Sequence, residues 1–243
     1  LRQKQTQNWG NVPSTVDAIY ALLLTGKDQL NQSEKITVEL GKQTLPVSTT
    51  ANPLGYLKYT YTASEIQPDM LNADITQTSD SPSWGGLYLQ YFEKFDQVQQ
   101  QKGILSVTKK LFIEKIGSDG KQELLPLGKE KLKTGDKVIT RLTLSLKQDM
   151  DFLYLKDFRA ACFEPIGQLS GNQWKFGTVY YEESKDAVTN FFFNSLAKGT
   201  YVLEYPVWVN QAGTYQDGIA TFQSMYAPEY TAYSEAGKIT VTK

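Results

Sequence analysis

Lys137-Val-Ile-Thr-Arg-Leu-Thr-Leu-Ser-Leu146 decides the fold class. Leu142, Leu144 and Leu146 alternate with Arg141, Thr143 and Ser145, the pattern of a strand with one face in a core. Lys133-Thr-Gly-Asp136 supplies the turn ahead of it. Outward from this strand the same grammar repeats. Leu105–Ile116 reads as a strand into the Gly117-Ser-Asp-Gly120 turn, and Phe152–Ala161 as another. Val179–Glu182, Val188–Phe193, Gly199–Val209 and Ile219–Tyr226 follow, then a crossing marked by Pro228 and a last strand over Lys238–Val241. Eight or so antiparallel strands at this spacing predict one β-sandwich over residues 103–243.

Upstream, Asp96-Gln-Val-Gln-Gln-Gln-Lys102 has little to pack and reads as a linker. Residues 33–100 read as a smaller β region, half of a split domain. Ile36–Leu40, the Gly41-Lys42 turn and Gln43–Val47 have the signature of a hairpin. Leu57–Tyr61 and Ala73–Gln77 alternate, and Trp84–Phe92 reads as a buried aromatic strand. Residues 1–32 hold a short N-terminal helix: Ser14 is expected to cap it with Asp17, and Val16, Ile19, Tyr20, Leu23 and Leu24 recur at helical spacing up to Gly26. One amphipathic helix cannot bury its own face, and the chain starts at Leu1 without a signal stretch. It is therefore expected to be cut from a longer protein.

Composition narrows the chemistry. The 243 residues carry 25 Lys plus Arg against 26 Asp plus Glu, so no basic field attracts nucleic acid or an anionic membrane. No apolar run approaches the roughly 20 residues of a membrane span. There is no histidine, which removes Ser-His and Cys-His nucleophile pairs and imidazole metal sites together. Cys162 is the one cysteine, so no internal disulfide forms. In Cys162-Phe-Glu164-Pro165 the third position is proline, without the carboxamide an internal thioester needs, and Cys162 reads as a buried thiol. Glu182, Glu183 and Asp186, with Asp149 and Asp151, read as turn acids and not as a catalytic pair or calcium loop. Trp84, Tyr88, Tyr91, Phe92, Trp174, Phe191, Phe192, Phe193 and Trp208 could include a sugar-stacking platform, although alternation assigns most to cores. Asn190-Phe-Phe-Phe-Asn194 must put an aromatic ring on each face of its sheet. The reading is a non-enzymatic chain without cofactor or metal.

Four motifs then carry a resemblance. Lys133–Leu142, the Asp157–Pro165 stretch around Ala-Cys-Phe-Glu-Pro, Leu196-Ala-Lys-Gly-Thr-Tyr201 and Met225-Tyr-Ala-Pro-Glu229 resemble the C-terminal domain of bacterial alpha-2-macroglobulin family proteins, in wording closest to Bacteroides-type members. Trp9–Leu24 is similar to the closing helix of their helical thioester toroid. The resemblance implies an immunoglobulin-like, macroglobulin-type β-sandwich in a bait-and-trap protease inhibitor of the bacterial envelope, periplasmic or surface-exposed and lipid-anchored through an absent N-terminus. It implies target proteases as partners of the full-length protein. It also implies that this region packs on the helical thioester domain of its own polypeptide, with Met225, Tyr226, Tyr230 and Phe222 excluding water there. The competing reading is a carbohydrate-binding or adhesion module, marked by an exposed planar row of rings.

Overall fold

A computed structural model describes residues 10–25, 36–46, 58–78, 85–128, 131–167, 169–175 and 177–243. It divides into two units, one within Trp9–Leu89 and one containing Gln90–Lys243.

The first unit opens with helix α1 (Val12–Thr25). Its cap is Asn11, one turn earlier than expected: the Ser14 N–H donates to Asn11 Oδ1 at 2.9 Å. Val12-Pro13 can lie inside the first turn because N–H groups there have no intrahelical acceptor, so proline forfeits nothing. None of the residues of α1 is buried. Strands β1 (Ile36–Leu40), β2 (Gln43–Thr44) and β3 (Ala73–Gln77) form an antiparallel sheet in the order β2-β1-β3. Gly41 turns the hairpin at φ 59°, and a Cβ there would stand 2.8 Å from the Asp69 backbone. Val47 and Leu57, at the edges of two expected strands, lie outside the described residues. Lys58–Tyr61 and Gly85–Phe92 form no strand, against expectation. Tyr88 and Phe92 are almost wholly exposed. Alternation and aromatic content favour an extended chain, but a strand exists only where a neighbour completes its ladder, and no described segment pairs with either stretch.

The second unit holds β4 (Leu105–Ile116), β5 (Gln122–Pro126), β6 (Leu132–Lys133), β7 (Lys137–Leu146), β8 (Met150–Phe158), β9 (Phe163–Pro165) and β10 (Gly171–Lys175). It continues with β11 (Thr178–Ser184), β12 (Val188–Leu196), β13 (Gly199–Val209), β14 (Gly213–Asp217), β15 (Ala220–Ser224), β16 (Thr231–Tyr233) and β17 (Gly237–Thr242). A five-stranded sheet runs β5-β4-β7-β13-β9 and a six-stranded sheet runs β10-β11-β12-β8-β15-β16. Strands β15 and β16 lie against β4 across the interior. A smaller sheet, β14-β17-β6, contains a short parallel pair, β17 with β6. The architecture is the expected mainly antiparallel, immunoglobulin-like β-sandwich of macroglobulin type, preceded by a smaller β region and a short helix.

Strand phase explains the core. Leu142, Leu144 and Leu146 of β7 face inward together with Leu105, Val107, Leu111 and Ile113 of β4. Opposite them lie Leu153 and Leu155 of β8, Phe191 and Phe193 of β12, and Phe222 of β15. Each such fully buried side chain contributes about 1.5–3 kcal/mol relative to exposure. Cys162 is buried among them as expected, and burial pushes its thiol up to about 11.

Candidate functional site

The Asn190–Asn194 run divides as its alternation requires. Phe191 and Phe193 enter the core, each with its ring centroid 5.7 Å from that of Tyr180. Phe192 falls on the opposite face. The register there aligns Asn172, Tyr181, Phe192, Tyr154 and Gln223 across five neighbouring strands. Tyr154 stacks on Phe192 at 5.0 Å and 26° between planes, and Tyr181 lies 6.2 Å from the same ring. Trp174 sits two residues along from Asn172, directly opposite Val179, and is 83% exposed. The outer face of the six-stranded sheet is therefore an aromatic surface.

Polar groups secure one side of it. The Tyr154 hydroxyl donates to Asn190 Oδ1 at 2.9 Å, and Asn190 Nδ2 donates to Glu183 Oε2 at 2.8 Å. Lys185 Nζ stands 3.1 Å from Glu183 Oε1. The Asn190 hydrogen bond and then Lys185 hold the Glu183 carboxyl below its ordinary range. Burial, followed by the Glu183 charge, raises the Tyr154 phenol. These bonds orient the ring rather than prepare a proton transfer.

The Met225–Tyr230 turn forms the other side. Strand β15 ends at Ser224, two residues before the expected limit, because the chain closes on itself there. The Ser224 N–H donates to the Tyr230 carbonyl at 3.1 Å, the Tyr230 N–H to Ala227 at 2.9 Å, and the Ala227 N–H to Ser224 Oγ at 3.3 Å. The Thr231 hydroxyl donates to the Pro228 carbonyl at 2.6 Å. Ser224 and Ala227 are fully buried and anchor the turn. The Met225 N–H donates to the Phe152 carbonyl at 2.9 Å, tying the turn to β8. Met225 is left 49% exposed, and Tyr226 meets Phe152 edge to face.

The four residues singled out from the sequence thus separate. Met225 and Tyr226 come together beside Phe152. Tyr230 is partly buried against the core. Phe222 is wholly inside, edge-on to Phe193 at 6.5 Å, because the inward phase of β15 carries it there with Ala220 and Ser224. It cannot present its ring to another domain, so its expected interface role is corrected to a core one.

The acids do not converge on a reacting centre. Asp149 Oδ1 accepts the Lys198 N–H at 2.7 Å, a turn role. Burial raises the Glu182 carboxyl, with Lys175 opposing. Among the described residues no group of three or more His, Cys, Asp or Glu could hold a metal ion.

One polar constellation escaped the sequence reading. Lys109 Nζ lies 3.0 Å from Asp157 Oδ1 and 2.8 Å from Asp217 Oδ1, and donates to the Phe158 carbonyl at 2.7 Å and the Gly218 carbonyl at 2.9 Å. The Tyr205 hydroxyl donates to Asp157 Oδ2 at 2.5 Å. Burial opposes the ammonium, but Asp157 and Asp217 together outweigh it and raise its pKa. Burial raises the Asp217 carboxyl, with Lys109 pulling the other way, and burial followed by Asp157 pushes Tyr205 well up. Strand phase was the available signal: Lys109 and Asp157 occupy inward positions, 107-109-111 and 155-157. Asp217 and Tyr205 join them only through folding.

The family model for the bacterial alpha-2-macroglobulin MG10 domain matches residues 105–229, just over half of the chain and nearly all of the sandwich. The chain belongs to the bacterial alpha-2-macroglobulin family. The chain matches no curated protein. Among solved structures it is similar to Escherichia coli alpha-2-macroglobulin activated by porcine elastase, at 18% identity and TM-score 0.47, over 60% of this chain and 14% of that one. It is also similar to Salmonella alpha-2-macroglobulin reacted with methylamine, at 16% identity and TM-score 0.46, over 86% of this chain and 13% of that one. The chain thus spans about a seventh of the length of these relatives.

Proposed function

We propose that this chain is the non-catalytic C-terminal part of a bait-and-trap protease inhibitor. In this reading the outer face of its six-stranded sheet seats the helical domain of the same polypeptide, and Met225 and Tyr226 exclude water from that domain's reactive bond. The observation that carries the proposal is the Met225 side chain, half exposed on a turn held by hydrogen bonds from the Ser224, Met225, Ala227 and Tyr230 N–H groups. An apolar side chain held out on a rigid support suits a preformed contact, since little entropy is lost when a partner covers it. The Met225 thioether and the aromatic ring of Tyr226 exclude water without offering a strong nucleophile. Tyr230, packed below, steadies the turn.

The same proposal assigns α1 to the end of the helical domain, residues 33–100 to the returning half of a split β domain and residues 103–243 to the sandwich. It assigns the full-length protein to the cell envelope with proteases as its targets. Two measurements test it. Hydrogen exchange at residues 222–230 and 152–154 is expected to be slower in the full-length protein than in this chain alone, and equal exchange would overturn the docking. Met225→Ala in the full-length protein is expected to speed methylamine incorporation or water hydrolysis, and unchanged rates would overturn the shielding role.

A second reading rests on the row Tyr181-Phe192-Tyr154 with Trp174 beside it. Rings at this spacing, flanked by Asn172 and Gln223, could stack on sugar faces. Binding of glycans by the isolated chain, lost in Trp174→Ala and Tyr181→Ala, would favour it over domain docking.

A further inference from the structure

We propose that Lys109 and Asp157 are the two halves of an intramolecular isopeptide crosslink between the sheets of the sandwich, with Asp217 as proton relay and Tyr205 as donor to the developing oxyanion. The strands concerned are far apart in the chain: β4 lies in the five-stranded sheet and β8 in the six-stranded one. Their side chains meet inside, where Lys109 is 3% exposed, Asp157 0% and Asp217 15%.

The geometry brings the two reacting groups together. Lys109 Nζ already lies 3.0 Å from Asp157 Oδ1, in contact with the carboxyl whose Cγ it would attack, so the amine needs no long search for its partner. Two backbone carbonyls, Phe158 and Gly218, hold the nitrogen in place, each one residue beyond one of the acids. Gly218 makes this possible: a Cβ there would stand 2.1 Å from the Phe158 carbonyl oxygen. The Tyr205 hydroxyl points at Oδ2, the oxygen that becomes negative when Cγ turns tetrahedral, and burial keeps that phenol protonated.

The amine, Asp157 and Asp217 share one ionisable proton between them. In the ion pair it resides on Lys109. Its transfer to Asp157 Oδ1 gives a neutral amine beside a neutral acid; because Asp157 and Asp217 together favour the ammonium, this exchange is the uphill step of the reaction. Asp217 keeps its negative charge. The Lys109 lone pair attacks Asp157 Cγ while Tyr205 donates to Oδ2. Asp217 takes a proton from the nitrogen as the C–N bond forms and passes it to the departing Oδ1 hydroxyl. The Cγ–Oδ1 bond breaks, one water leaves, and a secondary amide joins the residues. Asp217 ends as it began, and the step needs no oxidant or cofactor.

Mass spectrometry of the intact 243-residue chain under denaturing conditions tests this. The expected mass is that of the sequence less one water, and proteolysis is expected to yield a branched peptide joining Lys109 to Asp157. Asp217→Asn keeps both reacting groups and removes the relay, so it is expected to show the full sequence mass while retaining a cooperative urea transition. Tyr205→Phe is expected to slow the loss of water. A folded wild-type chain that keeps its full mass after prolonged incubation, or a branched peptide joining other residues, would overturn the proposal.

Discussion

Phe152 and Tyr226 meet edge to face, ring centroids 5.3 Å apart and planes at 85°. Phe152 is the one described non-glycine residue with positive φ, at 51°. Its place falls between the register pairs Phe193↔Leu153 and Ser195↔Asp151, where the β12–β8 ladder is interrupted. A phenylalanine in the left-handed region costs about 1–3 kcal/mol of backbone strain, so compensating contacts must hold it. The Tyr226 ring and the Met225 N–H are two of them.

The ring contact is therefore expected to show as coupling. In a double-mutant cycle of Phe152→Ala and Tyr226→Ala, followed by urea unfolding, the interaction should be about 0.5–1.5 kcal/mol. Phe152→Gly should unfold later than Phe152→Ala, since glycine accepts φ 51° without strain. Strict additivity would remove the contact's role in holding the turn.

Burial separates Phe222 from Met225, although they stand three residues apart. Phe222→Ala deletes a fully buried ring and should cost about 3–5 kcal/mol in the isolated chain. Met225→Ala, at a half-exposed position, should stay within about 0.5 kcal/mol there. Urea midpoints at equal slope check both. A large loss for Met225→Ala would mark it as core and undo its use as an interface residue.

Cys162 is expected to resist thiol reagents while the chain is folded. It is wholly buried, and burial lifts its pKa to about 11, so at pH 8 the reactive thiolate is scarce as well as inaccessible. The folded state favours the neutral thiol. This contribution to stability is present below the unfolded pKa and is lost as pH rises towards about 11. Stopped alkylation at increasing urea should show modification following the unfolding transition, and rapid labelling in native buffer would contradict it.

Gly218→Ala should be among the most damaging small substitutions. The added methyl would meet Phe158 carbonyl oxygen at 2.1 Å and Cβ at 2.4 Å, both well inside contact distance. Backbone cannot yield there without displacing the carbonyls that hold Lys109. A loss above about 2 kcal/mol in chemical unfolding is expected. An unchanged midpoint would show that the loop relaxes freely.

How much of this was readable beforehand depends on the range of the interaction. Alternation in β7, β4 and β12 reports which face of a strand is apolar, and that property survives any arrangement of the neighbours. The hairpin at Gly41 and the thiol burial of Cys162 followed from the same local logic. The helix start moved from Ser14 to Asn11 because two good capping residues flank Val12-Pro13 and a local rule ranks them almost equally. The Gly85–Phe92 part of an expected strand, whose Trp84 lies outside the described residues, went astray differently: aromatic content describes what a strand would bury, not whether a partner edge exists to receive it.

The sequence by itself determined the β-sandwich and the absence of histidine chemistry, because composition and period are properties of the chain alone, while its motifs carried the resemblance to the family. Tertiary structure alone decided that Phe222 turns inward while Met225 turns out, since the phase of β15 relative to the core depends on its pairing with β8. It alone brought Lys109, Asp157, Tyr205 and Asp217 to one buried point. Their separations along the chain run up to about a hundred residues, and only the packing of two sheets across a common core makes them neighbours.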